Sequence, residues 1–243
     1  MSSGPIPWTV HPHGPLEPLA ENLWRVVGEL PNMALCRTMT VARLRDSRLL
    51  LHSAIALDEP GMAALEALGE PAFLVVPSGY HRMDAPRYKA RYPKIEVLCP
   101  RGSRGRVEQV IAVDRCFEDC PQPDPGDDSV VIEYFDERRR PEGIVLVRSA
   151  DGVTAIFNDV LFNIPHSKGL FWFVYGRLLG ATGGPKITPI ARYVLLRGET
   201  GRGYKRWLEA AAERRDVVRL VPGHGEVIAE GACDTLRQLA ARL

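Results

Sequence analysis

Val221-Pro222-Gly223-His224-Gly225-Glu226-Val227 carries the pattern on which the reading of this chain turns. It begins where the apolar, β-branched run Val217 to Val221 ends, so His224 stands just beyond the carboxyl end of a predicted strand. Glycine on each side lets the backbone turn sharply and leaves the imidazole unshielded. Such a histidine is a candidate metal ligand or acid-base group. The structural alternative is a turn residue that closes the strand.

Three further positions repeat this placement. Asp159 follows the predicted strand Gly152 to Phe157 within Ile156-Phe157-Asn158-Asp159-Val160-Leu161-Phe162, a carboxylate set among apolar residues. A buried carboxylate needs a cation, a metal or several donors, or it becomes neutral. His81 and Asp84 lie in Pro77-Ser78-Gly79-Tyr80-His81-Arg82-Met83-Asp84-Ala85-Pro86, after the apolar run Ala72 to Val76. Asp84 also suits a helix cap before Pro86, whereas His81 has no such structural task. His52 closes Leu49-Leu50-Leu51 and precedes Ser53, but neighbouring strand side chains point to opposite faces, so the two form no nucleophile pair. His11, His13 and His166 carry no comparable signal.

Working outward, the segments Leu23 to Val27, Met39 to Leu44 and Arg48 to Ile55 predict paired strands. Asp58-Glu59-Pro60 starts a helix carrying Met62, Leu65 and Leu68, with Asp58 as its cap. A second helix follows Asp84, and Lys94 to Leu98 reads as a strand. Val107 to Val113, Ser129 to Tyr134, Gly143 to Val147 and Gly152 to Phe157 predict strand after strand, with Asp151-Gly152 as a hairpin turn. Gly201 to Arg215 and Ala232 to Leu243 are predicted helices around the strand Val217 to Val221. Sheets packed together and covered outside by helices follow from this order. No linker interrupts it, so residues 1–243 read as a single domain, opened by an extended Pro-rich tail over about residues 1–20.

Composition narrows the function. Thirty-one Lys and Arg balance thirty Asp and Glu, leaving +1, with Arg138, Arg139 and Arg140 as the densest basic run. That is too little positive charge for a nucleic-acid surface, so nucleic acid is not an expected partner. The five cysteines, Cys36, Cys99, Cys116, Cys120 and Cys233, are odd in number and scattered. Reduced thiols and a cytoplasmic location are expected, since the first residues also lack the pattern of a secretory signal. Cys116 and Cys120 lack the second pair that a zinc ribbon needs. The apolar stretch 169–181 is too short and interrupted to span a bilayer.

On Pro222-Gly223-His224-Gly225, Phe157-Asn158-Asp159-Val160-Leu161-Phe162 and the order of the opening strands, the chain resembles the metallo-β-lactamase superfamily. The resemblance implies an α/β four-layer αββα sandwich. It places the family's metal-bridging carboxylate on Asp159 and its last histidine on His224, as the residues expected to serve catalysis. The family's His-x-His-x-Asp-His signature falls on the Tyr80-His81 loop, where only His81 and Asp84 remain, in altered spacing. Residues 122–158 contain no histidine for the family's middle position. The resemblance is thus to a divergent branch, with at most one zinc, iron or manganese ion held by His81, Asp84, Asp159 and His224. With open positions left for water, this set suits metal-dependent hydrolysis of a small molecule, with Tyr80 or a spare His or Asp assisting proton transfer.

The competing expectation is a metal-free binding or scaffold protein, since a fold does not carry its chemistry with it. Leu170-Phe171-Trp172-Phe173-Val174-Tyr175, with Arg177, Leu178 and Leu179, bears on this choice. The segment reads as a buried connecting helix, as a lid over an apolar ligand, or as the patch through which a homo-oligomer forms.

Overall fold

Leu49, Leu50 and Leu51 divide their side chains between two apolar layers, and the whole architecture follows from that division. The computed structural model describes residues 6–119, 121–134, 142–166, 174, 176, 180–196 and 198–243. The first sheet contains, side by side in chain order, β1 (Glu17–Ala20), β2 (Leu23–Leu30), β3 (Met33–Arg43), β4 (Arg48–His52), β5 (Glu70–Val75), β6 (Glu96–Cys99) and β7 (Arg115–Cys116). Strands β1 to β4 are antiparallel, and β4 to β7 are parallel. The parallel part requires crossovers, and these carry α1 (Glu59–Glu66), α2 (Ala85–Arg91) and α3 (Arg101–Val107).

Leu49 and Leu51 pack with Met62, Leu65, Tyr88 and Val107 of these helices. Leu50, Phe73, Val75 and Leu98 point the other way, against Val130, Val145, Val147, Ile156 and Val221 of the second sheet. That sheet runs in the order β13 (Val217–Val221), β10 (Gly152–Ile156), β9 (Ile144–Ser149) and β8 (Val130–Glu133). Its outer face, with Ile144, Leu146, Val153 and Ala155, is covered by α4 (Pro189–Val194), α5 (Glu199–Glu213) and α6 (Ala232–Ala241), through Ala191, Tyr204, Leu208, Leu236 and Leu239. Three apolar layers between four layers of structure make an αββα sandwich. A small third sheet, β12 (Gly184–Ile187), β11 (Leu161–Ile164) and β14 (His224–Gly225), closes one end.

Several elements differ from the sequence expectation. Residues 107–113 are not a strand: α3 ends at Val107 and continues into a turn in which Ile111 N–H donates to Val107 O at 3.1 Å. Val107 and Ile111 share the apolar layer at helical spacing, and it is the β-branched composition of the segment that imitates a strand. Asp58 caps α1 as expected, accepting from Gly61 N–H, but Asp84 makes no side-chain cap on α2, because arginines occupy its carboxylate. The Pro-rich start is extended but docked. Trp8 Nε1 donates to Leu57 O at 2.8 Å, its ring lies 5.2 Å from that of Tyr88, and Gly14 N–H donates to Val27 O.

Segment 169–181 falls outside the described residues apart from Val174, Gly176, Gly180 and Ala181, as do Cys120 and Arg138, Arg139 and Arg140. Among the described residues, no helix is long and apolar enough to cross a membrane.

Candidate metal centre

Parallel pairing of β4 with β5 and of β10 with β13 puts the carboxyl ends of these strands, and the loops that follow them, at matching ends of their sheets. His81 follows β5, Asp159 follows β10 and His224 follows β13. Their side chains meet. Nε2 of His81 lies 2.9 Å from Asp159 Oδ1, and Nε2 of His224 lies 3.3 Å from the same oxygen. The three donor atoms all lie within 4.8 Å of one another.

Each imidazole is held from behind. His224 Nδ1 stands 2.6 Å from the carbonyl oxygen of Cys36, which can only accept, so Nδ1 carries the proton and Nε2 is left to face Asp159. His81 Nδ1 stands 2.9 Å from Ser53 Oγ, a hydroxyl able to accept in the same way. The Phe162 ring stacks on His224 at 4.7 Å. Backbone closeness explains the glycines: a Cβ on Gly223 would stand 2.7 Å from Asn158 O, and Gly225 has φ +102° against Asn163 O. Substituting side chains here would push the His224 turn off the Asp159 loop.

Behind Asp159 lies Glu142, buried, at the entrance to β9. Its carboxylate accepts from the N–H groups of Asn158, Asp159 and Val160 at 3.0, 2.5 and 2.8 Å. Burial and then the Asp159 carboxylate push Glu142 up to about 8, against the pull of those donors. Burial also raises Asp159, but the charge of His81 and the hydrogen bonds of both histidines outweigh it and hold this carboxyl well below the usual range. Ser78 Oγ reaches the other oxygen, Oδ2, at 3.5 Å.

Of the residues singled out in the sequence, His81, Asp159 and His224 are brought together, and Asp84 is not. Both Asp84 oxygens are engaged by guanidinium groups, Oδ2 by Arg37 and Oδ1 by Arg87 at 2.9 Å. His52 is buried at the end of β4, and burial, with His81 second, drives it down to about 3. Ser53, the carbonyl of Cys36 and Glu142 escaped the sequence reading. No local pattern marks them, because each acts through a partner 17 to 188 positions away.

The donor set of two imidazole nitrogens and one carboxylate oxygen fits a single divalent ion of the zinc or iron type. Among the described residues, this is the group of three or more His, Cys, Asp or Glu side chains close enough to hold one. A cleft of about 230 Å³ opens above Asp159, lined by Tyr80, Phe162, Thr188, Ala191, Val194 and Leu195. Tyr80 is exposed at its lip, with the Arg106 guanidinium 4.8 Å from its ring centre.

The fold is that of the metallo-β-lactamases. The crystal structure of DIM-1 metallo-β-lactamase exposed to ceftazidime aligns with 93% of this chain and 96% of its own, with a TM-score of 0.61 and 12% identity. The metallo-β-lactamase FIM-1 from Pseudomonas aeruginosa, in its mono-zinc form, aligns with 96% of each chain, with a TM-score of 0.59 and 13% identity. Identity this low speaks for the fold alone. No family model and no curated protein matches the sequence.

Proposed function

From a metallo-β-lactamase fold with a reduced donor set, we propose a mononuclear, metal-dependent hydrolase of a small molecule, with His81, Asp159 and His224 as the ligands. The observation that carries this reading is the pair of Nε2 atoms turned onto one carboxylate oxygen. His224 Nδ1 donates to Cys36 O, which aims its Nε2 at that carboxylate oxygen. Two imidazole nitrogens converging on one carboxylate oxygen form a donor set that suits a divalent cation. The mono-zinc form of FIM-1 supports a single ion in this fold.

When bound, zinc, iron or manganese would polarise a substrate oxygen and make water a nucleophile near neutral pH. The chain's own residues supply the rest. Asp159 Oδ2, which neither histidine touches, orients the attacking water by accepting a hydrogen bond from it. Tyr80, at the lip of the cleft, delivers a proton to the leaving group. Phe162, Ala191 and Leu195 exclude bulk water and favour an apolar portion of the substrate. The three apolar layers draw on residues from Leu23 to Ala240, which supports one domain as the working unit. Cys36, Cys99, Cys116 and Cys233 are free thiols, in keeping with the cytoplasm.

Elemental analysis of protein purified without chelator and supplemented with zinc, iron or manganese tests the reading. One ion per chain is expected, lost in Asp159→Ala and His224→Ala with the fold retained. No stoichiometric metal in the wild type overturns it in favour of a metal-free binding protein. The apolar cleft is the observation that favours this second reading.

A further inference from the structure

We infer that Glu142 is a positioning residue, whose carboxylate clamps the 158–160 loop so that Asp159 Oδ1 faces both histidines; this rests on the metal reading above. The last ladder bond of this corner is Phe157 N–H to Val221 O, at 2.8 Å. Beyond it, three successive amides have no strand to pair with. All three converge on Glu142: Oε1 accepts from Asn158 and Val160, and Oε2 accepts from Asp159. Asn158 and Val160 are buried, so water does not readily replace these bonds. Nor does the Asn158 side chain, whose amide atoms find no partner among the described residues.

The opposite side of the loop is pressed by Gly223, whose added Cβ would stand 2.7 Å from Asn158 O. Gly223 immediately precedes His224. The loop is therefore gripped between the Glu142 carboxylate and the backbone that delivers a histidine ligand. Its grip sets where Asp159 stands relative to His224. Only a two-oxygen acceptor meets three N–H donors, so a glutamine of equal size offers one acceptor and turns an NH2 group toward a donor.

The test uses the full-length protein loaded with zinc, with affinity measured by chelator competition, and the cobalt-substituted protein, whose visible spectrum reports ligand geometry. Glu142→Gln is expected to weaken zinc binding about 10- to 100-fold, as loss of a ligand's supporting partner does. It should also alter the cobalt spectrum while circular dichroism shows an intact fold. Glu142→Asp, which keeps both oxygens, should fall between Gln and wild type. A folded Gln variant with wild-type affinity and spectrum overturns the inference and leaves the metal reading standing. If Glu142→Gln does not fold, wild-type values in Glu142→Asp overturn it equally. A wild type that binds neither zinc nor cobalt overturns the metal reading, and this role with it.

Discussion

Arg37 and Asp84 form an ion pair between β3 and the start of α2, with side chains 4% and 1% exposed. Arg37 also donates to Ala54 O at 3.2 Å, next to the Ser53 that supports His81, and it follows Cys36, whose carbonyl supports His224. One buried pair thus ties together the segments behind both histidines. Removing one partner of such a pair strands the other charge. Asp84→Asn should destabilise the protein by about 3–5 kcal/mol in urea unfolding. Folded Asp84→Asn should still bind one metal per chain, whereas a folded variant devoid of metal would return Asp84 to the ligand set.

Ser53 has a narrower task. Its hydroxyl, 2.9 Å from His81 Nδ1, orients the imidazole without touching Asp159. Ser53→Ala should lower metal affinity about 10-fold or more, as loss of a ligand's outer hydrogen bond commonly does. Chelator competition measures it, and unchanged affinity would show that His81 is held by packing alone.

Gly225 and Gly231 both have positive φ, +102° and +64°, yet only Gly225 is also closed in, by Asn163 O. Gly225→Ala should therefore cost more than the roughly 1–3 kcal/mol of backbone strain alone. Gly231→Asn should be nearly neutral, because αL tolerates Asn and nothing lies within 4 Å. Denaturation midpoints of the two variants should separate clearly, and equal midpoints would contradict the close approach.

His52 makes stability depend on pH. Burial and then His81 hold it down at about 3, against about 6.5 in the unfolded chain, so it is neutral in the fold. Below pH 6.5 the unfolded chain takes up the proton and the folded chain does not. The contribution is complete above pH 6.5 and is lost as pH falls toward 3, at about 1.4 kcal/mol per unit. Urea titrations at pH 7 and pH 5 should show this slope in the wild type and a flatter one in His52→Phe. Equal slopes would place the acid sensitivity elsewhere.

Residue types and spacing alone were enough for the two-layer reading of the sheets, the capped α1 and the turn that presents His224, because each rests on local chemistry. Apolar alternation, a carboxylate before Pro60 and glycines beside a histidine act within a few residues. The same local logic mistook residues 107–113 for a strand, because the β-branched Val107, Val110, Ile111 and Val113 suit a strand as readily as a helical end. It also gave Asp84 a cap or a metal to hold, since a sequence does not show that Arg37, 47 positions earlier, occupies that carboxylate.

What the sequence by itself determined is therefore the sandwich and the turn that presents His224, with Asp159, His224 and His81 as candidates. Tertiary structure alone decided that these three meet, that Asp84 stays outside, and that Ser53, Cys36 O and Glu142 hold them in place. The reason is physical. Strand and helix patterns arise from bonds between near neighbours, whereas a ligand set and its supports depend on contacts across up to 188 positions of chain. Those contacts exist only once the sheets have packed.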